Sequence, residues 1–103
     1  MKIYHIVPPE VWEKFKDQKL YEAESLATEG FIHCSYAEQL EGVLQRYYKN
    51  AEKVLILTLE TEKLTSKLVA EPSTGGEIYP HIYGVINAEA IVEIKEKQIE
   101  AVD

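Results

Sequence analysis

At 103 residues, with 46% of them apolar, the chain has the size of one domain and enough apolar surface for a core of its own. Eighteen acidic residues face eleven basic ones, a formal charge of −7, which argues against a nucleic-acid backbone or an anionic membrane surface as partner. One cysteine, Cys34, excludes an internal disulfide, and no segment approaches the roughly 20 apolar residues of a membrane helix, so a single cytoplasmic domain spanning 1–103 is expected.

The start, Met1–Ile6, has neither the basic region nor the apolar run of a secretory signal. Lys2–Val7 reads instead as a first strand, rich in β-favouring Ile3, Tyr4, Ile6 and Val7. Pro8-Pro9 ends it, and Pro9 opens a helix predicted to run to about Lys16 with Val11, Trp12 and Phe15 on one apolar face. Lys19–Ala23 is irregular or briefly extended. Glu24–Glu29 is a short helix closed by Gly30.

Phe31–Cys34 is a buried strand. Ser35 then caps the next helix through the capping-box pattern Ser35-x-x-Glu38, and that helix carries Leu40, Val43, Leu44 and Tyr47 inward as far as about Tyr48. Val54–Leu59 is an almost unbroken apolar run, the signature of a central strand covered on both faces. Glu60–Leu64 suggests a helical turn, and Lys67–Glu71 alternates as a strand. After the polar loop Pro72–Glu77, Ile78–Tyr83 is a strand, and Pro80 within it predicts an edge or a bulge. Ala90–Lys95 is the last strand, extended by the tail Glu96–Asp103. Helices crowd the first half and strands the second, which is α+β.

All three histidines, His5, His33 and His81, fall inside predicted strands among apolar neighbours. Imidazole titrates near neutrality and is a poor choice for pure packing, so this pattern points to a polar site. The bland alternative is three core histidines, each bonded to backbone. A zinc site would use the three imidazoles with Glu71 or Cys34, yet no ligand spacing supports it, and His33 and Cys34 point to opposite faces of their strand. Cys34 as a nucleophile competes with Cys34 as a small apolar filler. Gly75-Gly76 is flanked by Glu71 and Glu77, which would repel a phosphate, so a plain turn is expected. Tyr47-Tyr48 and Trp12 could stack a base but stand at core-like helical spacing.

Ile3-Tyr4-His5-Ile6, Trp12, Tyr21, Ser25-Leu26, the string Glu29-Gly30-Phe31-Ile32-His33-Cys34-Ser35, Gln39, and Glu71 ahead of Pro80-His81-Ile82-Tyr83-Gly84 together resemble the family known as domain of unknown function 952. The resemblance covers nearly the whole chain; Ala70 stands where relatives carry an aromatic residue. That family is similar in fold to the ADP-ribosyltransferases, which implies a split, curved β-sheet with helices mainly from the N-terminal half, around a cleft. By the same resemblance His5 would hold a ribose and Glu71 would match a catalytic glutamate. NAD is then the implied ligand, although the sole arginine, Arg46, lies in mid-helix.

The expectation is therefore a small-molecule-binding protein or an enzyme of uncharacterised reaction. Glu71, His33 and His81 are the candidate catalytic residues, and glycosyl or ADP-ribosyl transfer is implied by resemblance alone. His5, Trp12, Tyr21, Ser25, Ser35, Gln39 and Tyr83 are the candidate ligand-binding residues. A non-catalytic structural or regulatory domain and a metal-dependent hydrolase are the alternatives.

Overall fold

A computed structural model describes residues 1–99. The chain runs β1 (Lys2–Val7), α1 (Pro9–Trp12), β2 (Leu20–Tyr21), α2 (Glu24–Glu29), β3 (Ile32–His33), α3 (Leu40–Tyr47), β4 (Lys53–Glu60), β5 (Lys67–Pro72), β6 (Ile78–Tyr83), β7 (Ile86–Asn87) and β8 (Ile91–Gln98). Short 3-10 turns stand at Ala37–Gln39, Thr61–Lys63, Thr74–Gly76 and Ala88–Ala90. The α-helices all precede β4, and the strands pair antiparallel, so the α+β expectation holds.

Two three-stranded sheets, β1-β4-β8 and β3-β6-β5, and the small β2-β7 pair make up the strand framework. The larger sheets touch where Ser35, just past β3, bridges Tyr4 of β1 through bonds of 2.7 and 2.9 Å. β4 lies in the middle of its sheet, as its apolar run predicts. Its alternation divides the core: Leu57 and Leu59 join Ile3, Val7, Ile32, Ile82 and Ile86 on one side, while Val54 and Ile56 join Ile6 and Leu44 of α3 on the other. Each fully buried aliphatic chain there contributes about 1.5–3 kcal/mol of burial free energy.

Gly30 closes α2 in the left-handed conformation at φ 89°, as its lack of a Cβ allows. This cap turns the chain straight into Phe31 and β3, and so sets where His33 stands.

Four expectations need correction. α1 ends at Trp12 rather than Lys16, because tight turns take over: Lys14 N–H bonds Val11 O and Phe15 N–H bonds Trp12 O, both at three-residue spacing. The capping box is not Ser35–Glu38. Ser35 N–H is committed to Tyr4 O, and the cap shifts by one residue to Tyr36, whose N–H is met by Gln39 Oε1 at 3.0 Å. Tyr47 is 57% exposed instead of inward, and Tyr48 packs against the Leu44 cluster in its place.

Pro80 lies in the central strand of its sheet, not at an edge. The N–H and C=O of a residue in an antiparallel strand point the same way, and Pro80 O accepts from Cys34 N–H at 3.1 Å. The missing proline N–H therefore faces Cys34, so this pair keeps one of its two bonds, at the point where β3 leaves the sheet to bridge Tyr4. β8 runs to Gln98, and residues 100–103 of the expected tail extension lie outside the described residues.

Candidate functional site

His5 sits on the core face of β1 with Ile3 and Val7. Its Nδ1 lies 2.7 Å from His33 O and its Nε2 lies 2.8 Å from Tyr21 Oη. A carbonyl only accepts, so Nδ1 carries the proton, and in the neutral ring Nε2 accepts from the Tyr21 hydroxyl. Burial depresses the His5 pKa to about 4, against the opposing pull of the His33 carbonyl, so the ring is neutral at pH 7. Burial likewise pushes the Tyr21 hydroxyl pKa upward. Trp12 and Phe15 hold the Tyr21 ring at centroid distances of 5.8 and 5.2 Å.

Two adjoining clefts open above this pair. One, of about 300 Å³, is lined by His5 and Tyr21 together with Tyr4, Glu24 and Ser25. The other, of about 520 Å³, is lined by Glu29, Cys34, Tyr47, Ser73 and Tyr79. They share His33 and Ser35 as one wall and Val43 and Tyr48 of α3 as the other. No lysine or arginine lines either cleft among the described residues. Ser25 Oγ donates to Phe31 O at 2.8 Å, while the Ser35 hydroxyl takes part in no hydrogen bond among the described residues.

A second polar group lies beside the larger cleft. His33 pairs directly with His81, and His81 with Val69, so His33, His81 and the alternate residues Tyr83 and Glu71 share one face of the sheet. His81 is 2% exposed. Its Nδ1 donates to Glu71 Oε2 at 3.1 Å, and Tyr83 donates its hydroxyl to the same carboxylate. The Tyr83 bond, then the His81 bond, hold the Glu71 carboxyl below the usual range, and Glu71 in turn raises the Tyr83 hydroxyl. Phe31 stacks on His81 at 4.2 Å and 17°, and His33 meets the same ring edge-on at 5.3 Å. His33 Nε2 donates to Glu29 at 3.0 Å. His81 Nε2 is buried without a partner among the described residues.

Of the sequence-predicted residues, His5, Tyr21, Ser25, His33 and Ser35 therefore come together at the clefts, and Glu71, His81 and Tyr83 form a contiguous cluster next to His33. Two do not belong. Trp12 packs in the core as a support for Tyr21. Gln39 is a buried clamp: its Nε2 donates to Ile78 O and Glu77, both at 2.8 Å, while its Oε1 serves the Tyr36 cap. The nucleophile reading of Cys34 also falls, because burial raises the thiol pKa and keeps it protonated. Gly75-Gly76 form a tight turn whose Gly76 N–H is taken by Ser73 O. Phe31 and Glu29 were missed, and Tyr48, weighed as a base-stacking ring and set aside as core, lines both clefts. Phe31 was findable, since residues two apart on a strand share a face and Phe31 precedes His33 by two.

No group of three histidine, cysteine or acidic side chains is arranged to hold a metal ion among the described residues. Nor is any described helix long and apolar enough to cross a membrane.

The family model described as "Protein of unknown function (DUF952)" matches residues 6–94, a span that includes both clefts and the Glu71–His81 cluster. The chain belongs to the DUF952 family. No curated protein matches it. Among solved structures, a crystal structure of protein CC0527 from Caulobacter crescentus is 27% identical, with a TM-score of 0.83, over 93% of this chain and 85% of that one. A crystal structure of a double mutant of CC0527 is 26% identical with the same TM-score and coverage. The solution structure of CC0527 is 26% identical with a TM-score of 0.78, over 99% of this chain and 86% of that one. DUF952 architecture is thus shared across most of both chains.

Proposed function

We propose that this DUF952 protein binds a small molecule in the paired clefts above β3. One observation carries the reading: a single polar wall, His33 and Ser35, serves two adjoining cavities of about 300 and 520 Å³, and Ser35 presents an uncommitted hydroxyl to both. Clefts of this size suit metabolites, and apolar walls with a few convergent polar groups are typical of such sites. The tyrosines Tyr47, Tyr48 and Tyr79 offer ring faces for a flat group.

The resemblance to ADP-ribosyltransferases extends this to a nucleotide such as NAD. The sheets meeting at Tyr4 and Ser35, and a strand histidine at His5, favour that extension. The linings oppose it, since a pyrophosphate would meet Glu24 and Glu29, while Arg46 lies outside the lining and reaches the Tyr79 hydroxyl with Nη1 at 3.4 Å. His5, with both ring nitrogens engaged, would have to release Tyr21 to take a ribose hydroxyl.

A second reading, general-base catalysis, is favoured by His81. A carboxylate on Nδ1 and an unpaired Nε2 is the arrangement of an oriented base, and this reading requires Phe31, stacked on the ring, to move aside, because Nε2 is buried and His81 lines neither cleft.

The test is a screen of metabolite pools by amide NMR. Saturable shifts at Tyr21, Ser25, His33 and Ser35 are expected, and Val43→Phe, which fills the shared wall, should abolish them without loss of spectral dispersion. A folded Val43→Phe protein that binds as before would refute the site. For a compound so found, His81→Asn should remove turnover and spare binding if the second reading holds. NAD tested at millimolar concentration decides the nucleotide extension directly.

A further inference from the structure

We propose that the smaller cleft selects a primary ammonium compound with a small apolar body. This names the ligand class for the binding reading above and rests on it. The argument comes from the direction of each hydrogen bond at the cleft wall. His5 Nδ1 faces a carbonyl 2.7 Å away, so its proton is there, and Nε2, 2.8 Å from Tyr21 Oη, accepts. The Tyr21 proton is thereby spent on His5, and only lone pairs of its oxygen remain for a ligand. Ser25 is in the same state, because its proton goes to Phe31 O at 2.8 Å. Glu24 adds a carboxylate at the cleft, which can only accept.

Three side chains from β2 and α2 thus present acceptors to one side of the cavity, while the hydroxyls of Tyr4, Ser35 and Tyr48, on other elements, remain able to donate. An anionic ligand would bury its charge against these lone pairs and a carboxylate, with no cation in the lining among the described residues. A primary ammonium, with three donors and no acceptor, is the complementary group. Val11, Ala23 and Val43 supply the apolar surface for its body. The net charge of −7 draws a cation toward the protein from a distance.

The experiment titrates the intact protein at pH 7 with three probes of similar shape: phenethylammonium, 2-phenylethanol and 3-phenylpropionate. Amide NMR reports at Tyr21, Ser25 and Ser35. The ammonium should bind roughly tenfold more tightly than the alcohol, as expected of one charge-assisted hydrogen bond, and the carboxylate should not bind. Glu24→Gln should shrink the advantage of the ammonium over the alcohol. Equal affinity for all three probes, or a preference for the carboxylate, overturns the ligand class and leaves the cleft as a binding site. An unchanged preference in Glu24→Gln also overturns it. Absence of any shift with all three overturns the cleft reading and the ligand class together.

Discussion

Lowering the pH should destabilise this protein through one residue. His5 takes up a proton near pH 6.5 in an unfolded chain, but burial holds it neutral down to about 4 in the fold. Stability that depends on the neutral ring is therefore fully present above pH 6.5, declines as the pH falls toward 4, and levels off below that. The interval between the two values, at about 1.4 kcal/mol per tenfold change in proton affinity, amounts to about 3 kcal/mol at full extent and about 2 kcal/mol by pH 5. His5 is 6% exposed, which leaves little solvent screening to reduce this. Urea unfolding at pH 7.5 and pH 5 measures it, with His5→Gln as the reference. An amide at that position can still donate to His33 O and accept from Tyr21, but does not titrate. The wild type should lose about 2 kcal/mol more than His5→Gln between the two pH values. Equal losses would show that His5 is not held neutral and would remove the tautomer argument on which the direction of the Tyr21 hydrogen bond rests.

Gln39→Ala should cost about 1 kcal/mol in denaturant unfolding, because the Tyr36 N–H and Ile78 O lose their side-chain partner, yet leave ligand shifts at Ser35 unchanged. Gly84→Ala should lower stability by about 1–3 kcal/mol in the same assay, since φ there is 152° and an added Cβ would fall 2.8 Å from Ser66 Cβ. Cys34, although it lines the larger cleft, should react slowly with a thiol reagent in the native protein and far faster in denaturant, because burial raises its pKa and keeps the thiol protonated; rapid labelling of the folded protein would contradict that burial. Glu71→Gln should lower the pKa at which Tyr83 ionises, readable by ultraviolet absorbance against pH, because the carboxylate is the first cause of its elevation.

Much of the architecture was legible in the residue pattern. The apolar run Val54–Leu59 had to be a covered strand, Gly30 had to close α2, and His33 and His81 were marked by their apolar strand settings. Misreadings arose where a local signal had more than one solution. Ser35-x-x-Glu38 and the observed Tyr36–Gln39 cap differ by a single residue, and a long-range bond from Ser35 to Tyr4 decided between them. Pro80 forbids a bond only in the direction its nitrogen faces, and no local pattern gives that direction.

What the sequence determined by itself is therefore short-range: element types, the α+β order, the covering of β4 on both faces, and which polar residues were out of place among apolar ones. These follow from side-chain periodicity and backbone preference, which act over a few residues. Pairings across the chain were decided by tertiary structure alone. The contact between His5 and Tyr21, the register that sets His33 against His81, and the assignment of Trp12 and Gln39 to support rather than to the cleft all depend on which strands meet and in what register. Register is a property of two segments at once, and a slip of one residue would turn His81 away from Glu71 and Phe31 to the opposite face of its sheet.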